Sequence, residues 1–204
     1  GSIVYLSKNL DIMKDNIIAG YNITCIGDDR SYSYLPSKSG NTLSDVAAKH
    51  VLTYMAHDYI SYSFLDRASD ERQYCSPLID LPIASIMRSK YHCYPEYHTS
   101  LDNLDLITPL GLLGGYNVLQ KAIEVIENNE ILKSKVYGEP QLGKRELYPN
   151  LGLKSNQTNS LRNMMNLIAY ADGEKDLLEI AEIIGVPVWS LFDLVKILKS
   201  HDIL

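Results

Sequence analysis

The segment that decides the fold reads Ser-Asp-Glu-Arg-Gln-Tyr at residues 69–74, Leu-Pro-Ile-Ala-Ser-Ile at residues 81–86 and Tyr-His-Thr-Ser-Leu-Asp at residues 97–102. A polar loop precedes a short apolar strand, which is followed by a turn containing a histidine and an aspartate. This layout suits a metal site, because His98 can offer a neutral imidazole nitrogen to zinc while Asp102 fixes its tautomer or caps the next segment. The alternative is an ordinary hydrogen-bonded histidine, which the spacing alone favours.

Helical patterns alternate with short apolar runs on both sides of this segment. Apolar residues at spacings of three and four predict helices over residues 2–14, 43–59 and 108–128, and β-rich runs occupy residues 16–26, 60–65 and 81–87. We expect the last two runs to be buried strands. Strands that alternate with helices predict an α/β sheet whose functional loops lie at one edge.

The two longer helices have recognisable ends and faces. Asn41 or Thr42 is the expected N-cap of the helix over 43–59. The helix over 108–128 carries large apolar residues on one stripe, which we expect to face the core. These residues are Leu112, Tyr116, Leu119, Ile123 and Ile126.

The composition changes after the third helix, which predicts two domains. Residues 1–135 form the α/β domain, and residues 136–157, rich in glycine, proline and polar residues, read as a linker. Residues 158–204 contain three helical runs, at 160–170, 177–184 and 188–200. Because Gly185-Val186-Pro187 separates the last two, we expect a helix-turn-helix or winged-helix domain.

Charge and cysteine content restrict the classes of protein that fit. The 204 residues carry a net charge of −6, which argues against a nucleic-acid or anionic-membrane partner. No uncharged apolar run approaches the roughly 20 residues that cross a bilayer. The three cysteines, Cys25, Cys75 and Cys93, match neither disulfide nor zinc-finger spacings, and no signal-peptide pattern is visible. We therefore expect reduced thiols and a cytoplasmic setting.

Several motifs taken together resemble one bacterial family. They are Thr24–Arg30, Ser69–Cys75, Arg88–Tyr91 and Glu139–Arg145, together with the Tyr-His-Thr-x-x-Asp turn. The chain resembles the distal part of aminopeptidase-like proteins of the zinc exopeptidase fold that carry a C-terminal winged helix. The resemblance implies a mixed sheet flanked by helices, incomplete at its N-terminal side, and a zinc-dependent cleavage of an amide next to a free or acylated amino group. The substrate it implies is a small peptide or aminoacyl compound.

The same resemblance assigns part of a metal site. It places His98 at the family's distal histidine ligand, whereas the earlier ligands and the general base precede this sequence, so we expect the chain alone to be inactive. The family's strand-end aspartate falls on Thr24, which cannot replace a carboxylate ligand. Asp28 and Asp29 are the nearest substitutes, and Asp28 is favoured, either as a ligand or as a plain loop residue.

Three further residues near the motifs are candidates for supporting roles. Asp70 either caps a helical turn at residues 71–74 or orients His98 as a hydrogen-bond partner that does not itself bind the metal. Arg72 and Arg88 are candidates to hold a substrate carboxylate by a bidentate fork. The alternative for each arginine is an internal ion pair with Glu71 or Glu96.

A helix-turn-helix is often a DNA-binding motif. The residues of this C-terminal one argue against DNA binding. Its second helix begins Val-Trp-Ser-Leu-Phe-Asp at residues 188–193, where a recognition helix would present arginine or amide side chains to bases. Residues 141–204 contain seven basic and eight acidic residues, a net charge of −1. We therefore expect a packing or protein-contact module, with homo-oligomerisation through it as one use. A non-catalytic binding or assembly module and, third, a DNA-binding regulator are the alternatives to an enzyme.

Overall fold

The computed structural model describes residues 1–145, 147 and 156–204, with side chains of the last segment described from residue 159 onward. The chain divides into two units, Gly1–Ile126 and Glu127–Leu204. Within the described residues, no helix combines the length and apolar character that a membrane crossing requires.

The first unit is built on a mixed four-stranded sheet in the order β1-β4-β2-β3. The strands are β1 (Gly20–Asn22), β2 (Ser33–Leu35), β3 (Ile60–Ser61) and β4 (Ile83–Met87). Strand β4 pairs in parallel with β1 and antiparallel with β2, and β2 pairs in parallel with β3. All five residues of β4 are buried, as expected for an apolar strand with neighbours on both edges.

The predicted buried strand over residues 60–65 is wrong. Strand β3 contains two residues, both are exposed, and it lies at the sheet edge. The chain leaves the sheet at once because Ser63 and Asp66 form a capping box around a 3-10 helix, Phe64–Asp66. The β-rich run over residues 16–26 likewise gives only the three residues of β1, after which the chain enters a polar loop.

Four helices belong to the first unit: α1 (Ser2–Asn16), α2 (Leu43–Met55), α3 (Glu71–Tyr74) and α4 (Pro109–Glu127). Thr42 is the N-cap of α2 and forms a capping box with Asp45. The core formed around β4 and the neighbouring helices includes Leu6, Cys75 and Leu81.

Asp45 ties helix α2 to strand β2. Its carboxylate is fully buried and accepts hydrogen bonds from the Tyr34 hydroxyl at 2.7 Å and the Ser37 amide at 2.8 Å. The Ser37 and Thr42 hydroxyls donate at 2.5 and 2.6 Å. Burial alone would raise the pKa of Asp45, but these hydrogen bonds, led by that of Ser37, lower it below the ordinary value.

The predicted buried stripe of α4 is wrong at Leu112, Tyr116 and Ile123, which are exposed, whereas Leu119 is buried and Ile126 is half-buried. Three of the six buried residues of the helix are small, namely Gly111, Gly115 and Ala122. The reason is a close backbone approach: a Cβ on Gly111 would stand 2.1 Å from the Gly27 oxygen. A face of large side chains could not come so near to that loop.

The second unit pairs β5 (Ile131–Lys133) with β6 (Asp172–Asp176) in an antiparallel ribbon. Its helices are α5 (Asn156–Tyr170), α6 (Leu177–Ile184) and α7 (Phe192–Ser200). Asp176 caps α6 by accepting from the Glu179 amide, and Gly185 ends it with φ +76°. The helix-turn-helix is therefore present, with a strand pair that the sequence patterns did not reveal.

The expected domain limits differ from the division seen in the structure. The α/β domain was expected to reach residue 135, but β5 pairs with β6 and therefore belongs to the second unit. The expected linker over 136–157 contains a 3-10 helix, Leu142–Arg145, and the segment 148–155 lies outside the described residues.

Candidate functional site

A cavity of about 500 Å³ lies in the first unit, beyond the ends of the central strands. Its polar lining comes from Thr24, Asp28, Ser69, His98 and Asp102, and its apolar and aromatic lining includes Ile26, Tyr94, Tyr97, Leu106, Ile107 and Leu112. Three of the residues that the sequence singled out, His98, Asp28 and Asp102, thus share one cavity. Asp70, Arg72 and Arg88 are not among its lining residues.

The wall formed by residues 24–28 is fixed from two sides. The Arg88 amide donates to the Cys25 carbonyl and its Nε donates to the Asp28 carbonyl, both at 2.8 Å. From the other side, the Thr108 amide at the start of α4 donates to the Gly27 carbonyl at 3.0 Å. The wall is therefore held by the end of β4 and the beginning of α4.

Asp28 is buried at the base of this wall with its carboxylate already in use. The Ser89 amide and hydroxyl donate to its two oxygens at 2.9 and 2.7 Å, and the Arg30 amide donates at 3.0 Å. These contacts give Asp28 a role in holding the loop, and a metal ion would compete with them. Asp29 is exposed and instead accepts from the Thr108 hydroxyl at 3.0 Å.

His98 presents an exposed imidazole to the cavity. Its ring stacks on Tyr97, with 3.9 Å between centroids and 16° between planes, and its backbone has φ +58°. No hydrogen bond joins His98 to Asp102 or Asp70 in the described part of the chain. The aromatic stack, rather than a carboxylate, sets the orientation of the ring.

Aromatic residues around His98 were missed by the sequence reasoning. The Tyr97 ring also packs edge-on against Tyr94 and His92, and the Tyr94 hydroxyl lies 3.6 Å from the Cys25 sulfur. Burial, followed by the contact with Cys25, raises the pKa of Tyr94. Cys25 lies on the cavity wall with φ +48°. The signal was the density of aromatic residues between 91 and 98.

An ion pair joins the two sides of the cavity. The Arg30 guanidinium donates two hydrogen bonds to Glu96, at 2.8 and 2.9 Å. This contact lowers the pKa of Glu96 to about 2. Since Arg30 follows the 24–28 wall and Glu96 precedes His98, the pair fixes the histidine segment against that wall.

Asp70 stands at the expected N-cap position of α3, and neither Asp70 nor Arg72 lines the cavity. Asp70 is the N-cap residue of α3 but makes no side-chain cap, and it accepts from the Ser2 hydroxyl at 3.0 Å. Arg72 is exposed on α3 and forms no ion pair with Glu71 or Glu96 in the described structure.

Arg88 is buried, and its side chain contacts other residues of this chain. Its guanidinium lies 3.7 Å from the centroid of the Tyr32 ring, while its Nε binds the Asp28 carbonyl. Neither expected carboxylate pairs with it. Arg88 is therefore placed as a support of the cavity wall, away from the cavity itself.

Glu71 is a buried carboxylate that the sequence reasoning did not identify as an organising group. Its donors are the amides of Ala68 and Ser69, the Tyr91 hydroxyl and the Asn22 side-chain amide, at 2.6 to 2.9 Å. Burial and the contact with Glu71 raise the pKa of Tyr91. This network places Ser69 at the cavity and fixes the segment that follows β4.

The described residues contain no group of three or more histidine, cysteine, aspartate or glutamate side chains arranged to hold a metal ion. Zinc takes four ligands in structural sites and three protein ligands in catalytic ones. The cavity offers the His98 imidazole and, with rearrangement, Asp28. These residues fit one side of an ion and do not by themselves complete its coordination.

Comparisons with known proteins cover the whole chain. The model of a family described as a domain of unknown function, DUF4910, matches residues 1–129, and a winged helix-turn-helix model matches residues 130–204. A Clostridium acetobutylicum protein described as "Putative polysaccharide biosynthesis protein with aminopeptidase-like domain" is 39% identical over 182 residues, which are 89% of this chain and 42% of the relative.

A solved structure agrees with this similarity. A crystal structure described as a "putative peptidase" from Clostridium acetobutylicum has a TM-score of 0.87 and 34% sequence identity, and it covers 100% of this chain and 45% of that chain. The chain therefore spans less than half the length of these two relatives.

Proposed function

Because the chain belongs to the DUF4910 family through residues 1–129 and has aminopeptidase-like relatives, we propose that it forms part of a zinc-dependent hydrolase. The reaction is cleavage of an amide next to a free or acylated amino group, and the substrate is a small peptide or an aminoacyl compound. The resemblance to aminopeptidase-like proteins with a winged helix, inferred from the sequence motifs, is confirmed by these relatives.

The observation that carries the proposal is the position of His98. Its accessible imidazole lies in a cavity that also contains carboxylates and has room for a small substrate. Neutral imidazole is a common zinc ligand, and the Tyr97 stack limits the ring to one orientation. We assign His98 as a metal ligand. Asp28 is the second candidate, and it could bind the metal only after its hydrogen bonds from Ser89 are broken.

A zinc ion bound here would supply an acidified water and polarise the amide carbonyl. The residues of this chain have other tasks. Arg30 and Glu96 hold the histidine segment, and Ser89 holds the Asp28 loop. The remaining ligands and the general base would come from polypeptide that corresponds to the rest of the relatives.

The proposed function is tested by metal content and hydrolysis measured together. Elemental analysis of the purified protein is combined with a screen of aminoacyl amides and acetylamino compounds. We expect zinc in the form of the protein that hydrolyses such a substrate, and we expect a chelator to remove both the zinc and the activity. Hydrolysis that survives removal of all metal would overturn it. We expect these 204 residues alone to be inactive, and chelator-sensitive amidase activity from them would contradict that expectation.

A second candidate function is a non-catalytic binding or assembly module. It is favoured by the absence of a complete ligand group in the described residues and by the hydrogen bonds that occupy Asp28. Absence of both zinc and hydrolysis, with ligand binding in the cavity retained, would select this function.

For the second unit we propose a protein-contact role in a cytoplasmic protein. Homo-oligomerisation through this unit is the contact that we expect. Apolar Phe192, Leu194 and Val195 of α7 are buried within the unit, and the acidic Asp193 is exposed. A nucleic-acid backbone would instead favour a basic surface.

A further inference from the structure

Helix α4 exposes a row of large apolar residues beside the cavity. Leu110, Leu112, Leu113, Tyr116 and Ile123 have exposed fractions between 46% and 73%. We call these five residues the α4 face. Contiguous apolar residues of this size on a folded surface mark a site where another molecule binds.

Charge on the exposed side of α4 is confined to the C-terminal end of the helix, where half-buried Lys121 pairs with Glu124 and Glu127 is exposed. Between residues 110 and 123, all of which the structure describes, the other exposed positions are Asn117 and Gln120. The opposite side of the helix is buried through Gly111, Gly115 and Ala122. A helix that is apolar on both sides is typical of one that is covered on both sides.

The α4 face is continuous with the cavity. Leu112 belongs to the face and also lines the cavity, as does Ile107 just before the helix. A molecule bound on the α4 face therefore borders the space in front of His98.

The lengths of the relatives identify the occupant. The solved peptidase-like structure reproduces this entire chain, yet 100% of this chain corresponds to only 45% of that one. We propose that the α4 face binds the polypeptide that makes up the unmatched part of the aminopeptidase-like relatives, and that this polypeptide closes the cavity. The part of the inference that concerns the cavity rests on the proposed function.

The test is complex formation between this chain and the unmatched polypeptide of the Clostridium acetobutylicum relative, co-expressed in one cell. Light scattering measures stoichiometry, and the affinity is measured in buffer containing a chelator. We expect a one-to-one complex without metal, together with slower amide exchange in residues 110–123. Because the affinity is measured without metal, it does not depend on whether the chain binds zinc. Failure of the zinc proposal and failure of the proposed interface therefore give different results.

A matched pair of variants locates the interface. Tyr116→Asp places a charge on the α4 face, and we expect about thirty-fold weaker binding, as at an apolar hot spot. Tyr5→Asp changes a tyrosine of similar exposure on α1, 57% against 58%, and is expected to bind as the original chain does. Circular dichroism confirms that both variants fold.

Three results would overturn the inference. The first is no complex with the folded original chain, and the second is a complex that Tyr116→Asp and Leu113→Asp both leave unchanged. The third is self-association of this chain through the α4 face, shown by a dimer that Tyr116→Asp converts to a monomer. That outcome would identify a second copy as the occupant.

Discussion

A Cβ atom added to Gly111 would stand 2.1 Å from the carbonyl oxygen of Gly27. Contacts this short are sterically forbidden, so α4 meets the cavity wall backbone against backbone. One turn later the same holds for Gly115, where a Cβ would lie 2.8 Å from the Ile26 oxygen. Two glycines one turn apart therefore set the distance between α4 and the wall that contains Asp28.

We predict that Gly111→Ala lowers the free energy of unfolding by about 2 kcal/mol, because displacement of the wall outweighs the gain in helix propensity of about 1 kcal/mol. Urea unfolding measures the change. Asn117→Ala, at an exposed position of the same helix, is the control, because it changes helix propensity without adding an atom against the wall. A Gly111→Ala protein as stable as the Asn117→Ala protein would contradict the close approach.

The buried carboxylate of Asp45 predicts a pH dependence of stability. Its pKa is lowered in the folded state by hydrogen bonds from Ser37, Thr42 and Tyr34, whereas an unfolded aspartate has a pKa of about 3.9. The stabilisation is therefore complete above about pH 4 and is lost as the pH falls through the lowered folded pKa.

We expect Asp45→Asn to cost about 3 kcal/mol at pH 7, because an amide cannot satisfy all of the buried donors. The difference from the original chain should shrink below about pH 4. Chemical unfolding at a series of pH values measures both effects. An equal difference at pH 7 and pH 3 would refute this origin of the acid sensitivity.

The ion pair between Arg30 and Glu96 predicts a titration that can be measured directly. The pKa of Glu96 is about 2 in the folded protein. Replacing Arg30→Gln should return it to about 4.3, the value of an unperturbed glutamate. Carbon NMR of the Glu96 carboxyl group follows the titration. An ordinary Glu96 pKa in the original chain would mean that the two cavity walls are not joined by this pair.

We predict that the second unit does not bind DNA in a salt-dependent manner. Residues 141–204 have a net charge of −1, so few counterions would be released from a DNA backbone. Fluorescence anisotropy with random duplex DNA at low salt measures the interaction. Binding that weakens steeply as salt is added would revive a regulatory function for this unit.

Much of the fold was predictable because it follows from periodicity and turn chemistry. Helices α1 and α2, strand β4 and the helix-turn-helix appear near their expected positions, and the mixed α/β class is confirmed. Strand β3 was predicted too long and too buried because the apolar and aromatic residues of the run Ile60–Leu65 resemble a buried strand. The buried side of α4 was misassigned because large apolar residues gave a stronger pattern than glycines, although the backbone contact selected the glycines.

The candidate site was only partly predictable. His98 and Asp28 were named from motifs, and the structure brings them to one cavity. The contact of Arg30 with Glu96 joins residues 66 positions apart, so no local pattern could reveal it. The burial of Arg88 against Tyr32 has the same long-range origin. Whether His98 or Asp28 binds metal stays a prediction.

The central claim, that His98 binds zinc, is tested most directly by comparing two histidine variants. His98 and His92 are both exposed and both have positive φ, 58° and 64°, so Asn, which tolerates this conformation, preserves the backbone at either position. Zinc content is measured in the form of the protein that binds the metal. We predict that His98→Asn loses most of its zinc while remaining folded and that His92→Asn keeps it. Equal zinc content in both variants would remove His98 from the site and contradict the account.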